Sequence, residues 1–84
     1  MYYLYVIKSS KDQNLYIGYT KDLKRRFQEH NNGMSVSTKH RTPFELIYYE
    51  AYKSESDARK RERNLKLRSR AFNQLKKRIE DCLL

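Results

Sequence analysis

One cysteine, one proline, two glycines and no tryptophan occur in the 84 residues. A lone cysteine, Cys82, excludes an internal disulfide and any zinc site built on cysteines. It is expected as a small apolar residue on a C-terminal helix, and it fits a reducing cytoplasm. No apolar run approaches the ~18 residues of a membrane span. The apolar start, Tyr2 to Ile7, has no basic residue before it and Lys8 directly after, which describes a first strand rather than a signal peptide. Acidic side chains are scarce as well: ten Asp and Glu against nineteen Lys and Arg leave a net charge of +9. Such a field attracts polyanions and speeds their encounter. Nucleic acid is the first partner to consider, an anionic membrane the second and a purely solvated basic surface the third.

What is plentiful is tyrosine, with eight against three phenylalanines, giving rings to pack and to stack on bases. The length allows one domain, residues 1–84, with no room for a second core. A chain this short buries only about 60–65% of its unfolded surface, so any site is expected as a shallow groove rather than an enclosed pocket.

The pattern along the chain predicts an α+β domain, a three-stranded antiparallel sheet flanked by helices in the order β-β-α-β-α-α. Residues 2–7 form an unbroken apolar strand. A polar turn over 8–14 leads to a second strand, Leu15 to Tyr19, and the two make a hairpin. Thr20 is placed to cap a helix with Asp22 in its first turn, Leu23 and Phe27 as its apolar stripe, and an end near Asn31-Asn32-Gly33. A polar loop from Met34 to Thr42, closed by Pro43, precedes a third strand, Phe44 to Tyr52. Ser54, with Asp57 three residues on, resembles a capping box that opens a second helix. Ser69 starts a third, whose stripe is Phe72, Leu75, Ile79 and Leu83.

From Arg59 to Arg78 there are ten Lys or Arg and a single acid, Glu62. Solvated amphipathic helices are one account of this run. A phosphate backbone facing it is the other, since charges this dense repel and a polyanion would compensate them.

Polar residues also stand on stripes that ought to be apolar. Ala58, Glu62 and Leu65 share one helical face, which turns Glu62 toward the sheet. Two readings stand for it: an ion pair with a nearby arginine, or a ligand for a hard cation such as Mg²⁺. Leu23, Arg26 and His30 likewise share a face. Arg26 is either the partner of Glu62 or a clamp for phosphate. His30 either moves a proton near neutral pH or favours the helix C-terminal dipole. Tyr5 and Tyr16 fall mid-strand on neighbouring strands, where a phenol either packs or exchanges a proton near cations. Gly18 closes the second strand and permits close backbone approach.

This ordered set resembles the GIY-YIG nuclease family from Tyr2 to about Leu67. Leu4-Tyr5-Val6 stands where the family has its first motif, and Tyr16-Ile17-Gly18 is the literal second. Thr20 to Arg26, His30-Asn31, Pro43 to Glu50 and Ala58 to Lys66 continue the match. It is closest to the small stand-alone members, and is similar to the N-terminal nuclease domain found in excinucleases. The resemblance implies hydrolysis of DNA phosphodiesters with one divalent ion, Mg²⁺ or Mn²⁺. By matching position, Tyr5 and Tyr16 would be the motif tyrosines, Arg26 the arginine that stabilises the transition state, His30 the histidine some members use, and Glu62 the metal ligand. A pentacovalent phosphate concentrates negative charge, and a cation with an arginine stabilises it where it forms. Lys24, Arg25, Lys39, Arg41, Arg59, Arg63 and Lys66 are the candidate contacts to nucleic acid. The chain departs from the pattern at Leu4, where the first motif has glycine, and at Tyr19, where some relatives have lysine. Structure-directed cutting, or specificity supplied by a partner protein, in repair or recombination is the expected mode. A non-catalytic nucleic-acid-binding module of the same fold and a protein-interaction subunit are the alternatives.

Overall fold

The computed structural model describes residues 1–84. Its central strand is β1 (Tyr2–Ser9), flanked by β2 (Leu15–Thr20) on one side and β3 (Phe44–Tyr52) on the other, both antiparallel to it. Helix α1 (Leu23–Asn31) covers one face, and α2 (Glu55–Leu67) and α3 (Ser69–Arg78) cover the opposite one. The predicted α+β class and element order are thus present.

β1 reads as continuously apolar because both of its faces are covered. Leu4 and Val6 pack with Ile17, Leu65, Leu75 and Ile79 beneath α2 and α3. Tyr5 and Ile7 pack with Phe44, supported by Leu23, Phe27 and Leu46, on the α1 side. β1 runs two residues past its expected end, since Lys8 and Ser9 still pair with Glu45 and Phe44. On the β3 side the register slips between Val6 and Ile7: Val6 faces Tyr48 while Ile7 faces Leu46. The bulge lets one strand present Leu46 and Tyr49 to the α1 side, with Ile47 and Tyr48 on the other.

The helix starts differ in part from expectation. Asp22, not Thr20, caps α1, its carboxylate accepting from the Arg25 N–H at 3.1 Å. Thr20 acts one step earlier, its hydroxyl accepting from the Asp22 N–H at 3.1 Å. Ser54 caps α2 as expected. α3 begins at Ser69, but no side chain caps it, and it ends at Arg78. Leu83 therefore reaches the core from a 3₁₀ turn, Glu80–Leu83, and Cys82 on that turn is exposed rather than packed on a helix. Inside the segment expected as polar loop, Lys39–Arg41 form a second 3₁₀ turn, and Ser35 and Thr38 are buried.

On the α2 side, Glu50 accepts hydrogen bonds from the hydroxyls of Tyr48 and Tyr52 and from Arg61 Nε at 3.0 Å. This ties α2 to β3. Arg61 is therefore turned inward, and it leaves the run of ten cations that the sequence offers to phosphate.

Candidate active site

Cross-strand partners share a face of a sheet, and one row across the α1 side reads Gly18, Tyr5, Tyr49. Tyr5 leans over Gly18: a Cβ there would overlap the Tyr5 ring and hydroxyl. Gly18 lies inside β2 rather than at its end, and what approaches it is a phenol ring rather than backbone. The Tyr5 hydroxyl lies 2.7 Å from His30 Nε2, and His30 Nδ1 lies 2.8 Å from Thr38 Oγ1. Tyr5, His30 and Thr38 are all buried. The Tyr16 ring meets the His30 ring edge-on at 5.1 Å.

Burial pushes the Tyr5 phenol up to about 12, although the Arg26 guanidinium beside it pulls the other way. Burial, then Arg26, pushes His30 down to about 4. At neutral pH the pair is therefore a phenol and a neutral imidazole. Burial of the ring, with Arg26 beside it, opposes the cationic His30 that would serve the helix dipole. Tyr5, Tyr16 and His30 are in contact, Arg26 lowers both Tyr5 and His30, and Glu62 pairs with the lysine that lies over the Tyr16 ring.

The outer members of this group differ from the inner ones in access. The Arg26 side chain is 32% exposed and the Glu62 side chain 26%, against 2% for Tyr5. The expected Arg26–Glu62 ion pair is not formed. Arg26 pairs with Glu29 at 3.2 Å, and Glu62 pairs with Lys66, one turn on, at 3.2 Å. Lys66 also lies 5.5 Å from the centre of the Tyr16 ring, which places Glu62 beside β2, the edge strand, instead of inside the core.

The remaining basic candidates divide by position. Lys66 stands in the site itself. Arg59 lies over the Tyr19 ring at 5.5 Å, further along the same side of α2. Arg25 is tied to Glu29, the carboxylate that also holds Arg26. Lys24 lines an apolar groove by the start of α1. Arg63 stands with Lys60 and Arg68 at the α2–α3 junction. Lys39 and Arg41 are on the 3₁₀ turn next to Thr38, and Arg41 is committed to Asp12 at 2.7 Å and to the Phe44 ring.

No cluster of three or more His, Cys, Asp or Glu side chains is present. A single carboxylate partly open to solvent suits Mg²⁺, which keeps most of its water and takes one or two carboxylates plus substrate phosphate. Thr38 is the member of the neighbourhood that sequence reasoning missed. The sequence carries no signal for it, since the loop holds four hydroxyls, Ser35, Ser37, Thr38 and Thr42, with nothing to single one out.

A family model described as the GIY-YIG catalytic domain matches residues 1–78. The chain belongs to the GIY-YIG family. GIY-YIG proteins are nucleases that act on DNA and typically depend on a divalent metal. Among similar proteins, a UPF0213 protein of Staphylococcus saprophyticus is 44% identical over 70 residues, covering 82% of this chain and 84% of its own. Another, from Haloquadratum walsbyi, is 39% identical over 74 residues, covering 87% and 82%. The solution NMR structure of a UPF0213 protein from Bacillus halodurans matches with a TM-score of 0.56 and 35% identity, over 89% of this chain and 82% of that one. This GIY-YIG chain has no helix long and apolar enough to cross a membrane.

Proposed function

We propose that residues 1–84 act as one cytoplasmic endonuclease domain that hydrolyses DNA phosphodiesters with Mg²⁺ or Mn²⁺, directed by DNA structure or by a partner protein during repair or recombination. The observation that carries this reading is the cluster around His30, which lies 2.7 Å from the buried Tyr5 hydroxyl and 5.1 Å, ring to ring, from Tyr16, with Glu62 joined to the same edge through Lys66.

Roles follow from access. Glu62 would hold the ion, which supplies positive charge where the phosphate oxygens become most negative. Arg26, partly exposed and held by Glu29, donates to the same phosphate. Water oxygen forms the new bond to phosphorus as the bond to the leaving sugar oxygen breaks. The Tyr5 hydroxyl, held by His30 Nε2 at 2.7 Å, orients the water, whose proton is given up to solvent. The leaving oxygen takes a proton from solvent. Burial first and Arg26 second lower the basicity of His30, which keeps the imidazole neutral as the partner of the Tyr5 hydroxyl.

The test is cleavage of single-stranded, duplex, flapped and branched DNA, with Mg²⁺ or Mn²⁺ against EDTA, beside Glu62→Ala. Metal-dependent cutting that the variant loses while still binding DNA is the expected result. Binding without cutting on every substrate overturns it in favour of a non-catalytic module.

A further inference from the structure

On the α1 side of the sheet, a cavity of about 520 Å³ opens between β3 and the start of α1. This lies within the roughly 300–1,000 Å³ range of small-ligand sites. Its walls are Tyr3, Tyr49, Leu46 and Phe27, and Lys21 and Lys24 line it as well. Tyr3 and Tyr49 meet edge to face at 6.0 Å, and Tyr49 is 53% exposed. The contrast with the other side of β3 is sharp. There Tyr48 and Tyr52 are spent on Glu50, whereas Tyr49 leaves an aromatic surface open to solvent.

We infer that this groove is a nucleobase subsite, which takes a base unstacked from its strand while Lys21 and Lys24 meet the flanking phosphates. The inference rests on the nuclease reading and adds a substrate class to it, namely DNA carrying an unpaired base near the cut. Three observations support that occupant. Tyr49 is the cross-strand partner of Tyr5, so the groove belongs to the same face of the sheet as the proposed site. Its charge is that of two lysines against the one carboxylate of Asp22, and Asp22 is engaged in capping α1. Its walls are apolar and aromatic, which suits the flat face of a base and is sequence-tolerant, as in other single-strand binders. A perfect duplex cannot use the groove without first giving up stacking and pairing, because its base faces are covered.

Binding measured in EDTA separates this inference from the nuclease reading, since no cutting is involved. Fluorescence anisotropy would compare a labelled unpaired oligonucleotide, the same strand with abasic positions, and a perfect duplex. Tyr49→Ala is expected to weaken the unpaired strand by about tenfold and to leave the other two nearly unchanged, while Tyr49→Phe binds like the wild type. In the wild-type protein, thymidine 5′-monophosphate is expected to shift the ring resonances of Tyr3, Tyr49 and Phe27, and inorganic phosphate is not. Equal affinity for abasic and intact strands would overturn the inference. So would an equal loss on all three ligands in Tyr49→Ala. Self-association that Tyr49→Ala abolishes would make the groove a contact between copies instead.

Discussion

The Tyr5 hydroxyl lies 2.7 Å from His30 Nε2, and the imidazole so engaged has no exposed surface. Burial is the main reason that both groups are neutral. A protonated His30 would have no acceptor in Tyr5 beyond a phenol oxygen, and Arg26 stands close enough to disfavour a second cation.

A pH dependence of stability follows. His30 falls from an ordinary value of 6.5 to about 4 on folding, chiefly by burial. Below pH 6.5 the unfolded chain binds a proton that the folded one refuses. The contribution of the neutral ring is thus complete above pH 6.5 and is lost as pH falls toward 4, reaching roughly 3 kcal/mol. Urea unfolding of the wild type and of His30→Gln between pH 7 and 4 checks this. The wild type is expected to lose stability more steeply, and parallel profiles would sink the idea.

Thr38 partners the His30 nitrogen that faces away from Tyr5, with Oγ1 2.8 Å from Nδ1. In the arrangement that leaves Nε2 as acceptor, Nδ1–H donates to Thr38 Oγ1 at 2.8 Å. Thr38→Val keeps the shape, removes the partner and leaves a buried N–H unpaired, costing about 1–3 kcal/mol. Cleavage is expected to slow by about tenfold, a fraction of the ~10²–10⁴-fold that acid–base catalysis supplies. Thr38→Ser should restore both. The ¹⁵N shifts of the His30 ring give a readout that packing loss alone would not move: one tautomer in the wild type and in Thr38→Ser, a mixture in Thr38→Val.

The parts legible in the sequence are those set by local pattern. β1 announced itself as an unbroken apolar run, and α1 by the spacing of Leu23 and Phe27, because burial on both faces or on one stripe leaves those signatures. Arg26, His30 and Glu62 stood out because helix periods put polar groups on apolar faces, and the family resemblance joined them to Tyr5 and Tyr16. Pairing was harder. Ten cations follow Glu50 within the Arg59–Arg78 run, and nothing local marks Arg61 as the one that turns inward to it. For Glu62, pairing with Arg26 was one of two readings, and Lys66 at i+4 takes that place by proximity on the same helix. Thr20 and Asp22 are both good caps, and only the backbone at the end of β2 decides between them. Thr38 was out of reach, since its partner lies across a loop with no periodicity to follow.

The requirement for Gly18 comes from Tyr5 and can be tested as a coupling. The space a Cβ would need is filled by the Tyr5 ring and hydroxyl. A flexible side chain would swing aside at little cost, but this ring is 2% exposed and bonded to His30. Gly18→Ala must therefore push Tyr5 off His30 or spread the strands. The expected cost is about 1–3 kcal/mol, typical of overpacking, together with loss of cleavage. In a Tyr5→Leu background the three atoms that crowd the methyl most are gone, so Gly18→Ala should then cost well under about 1 kcal/mol. Residues in contact show such non-additivity, whereas independent sites do not. Four melting curves complete the cycle. Additive losses would mean that Gly18 is needed by the backbone of β2 alone, and that the position of the Tyr5 phenol does not depend on it.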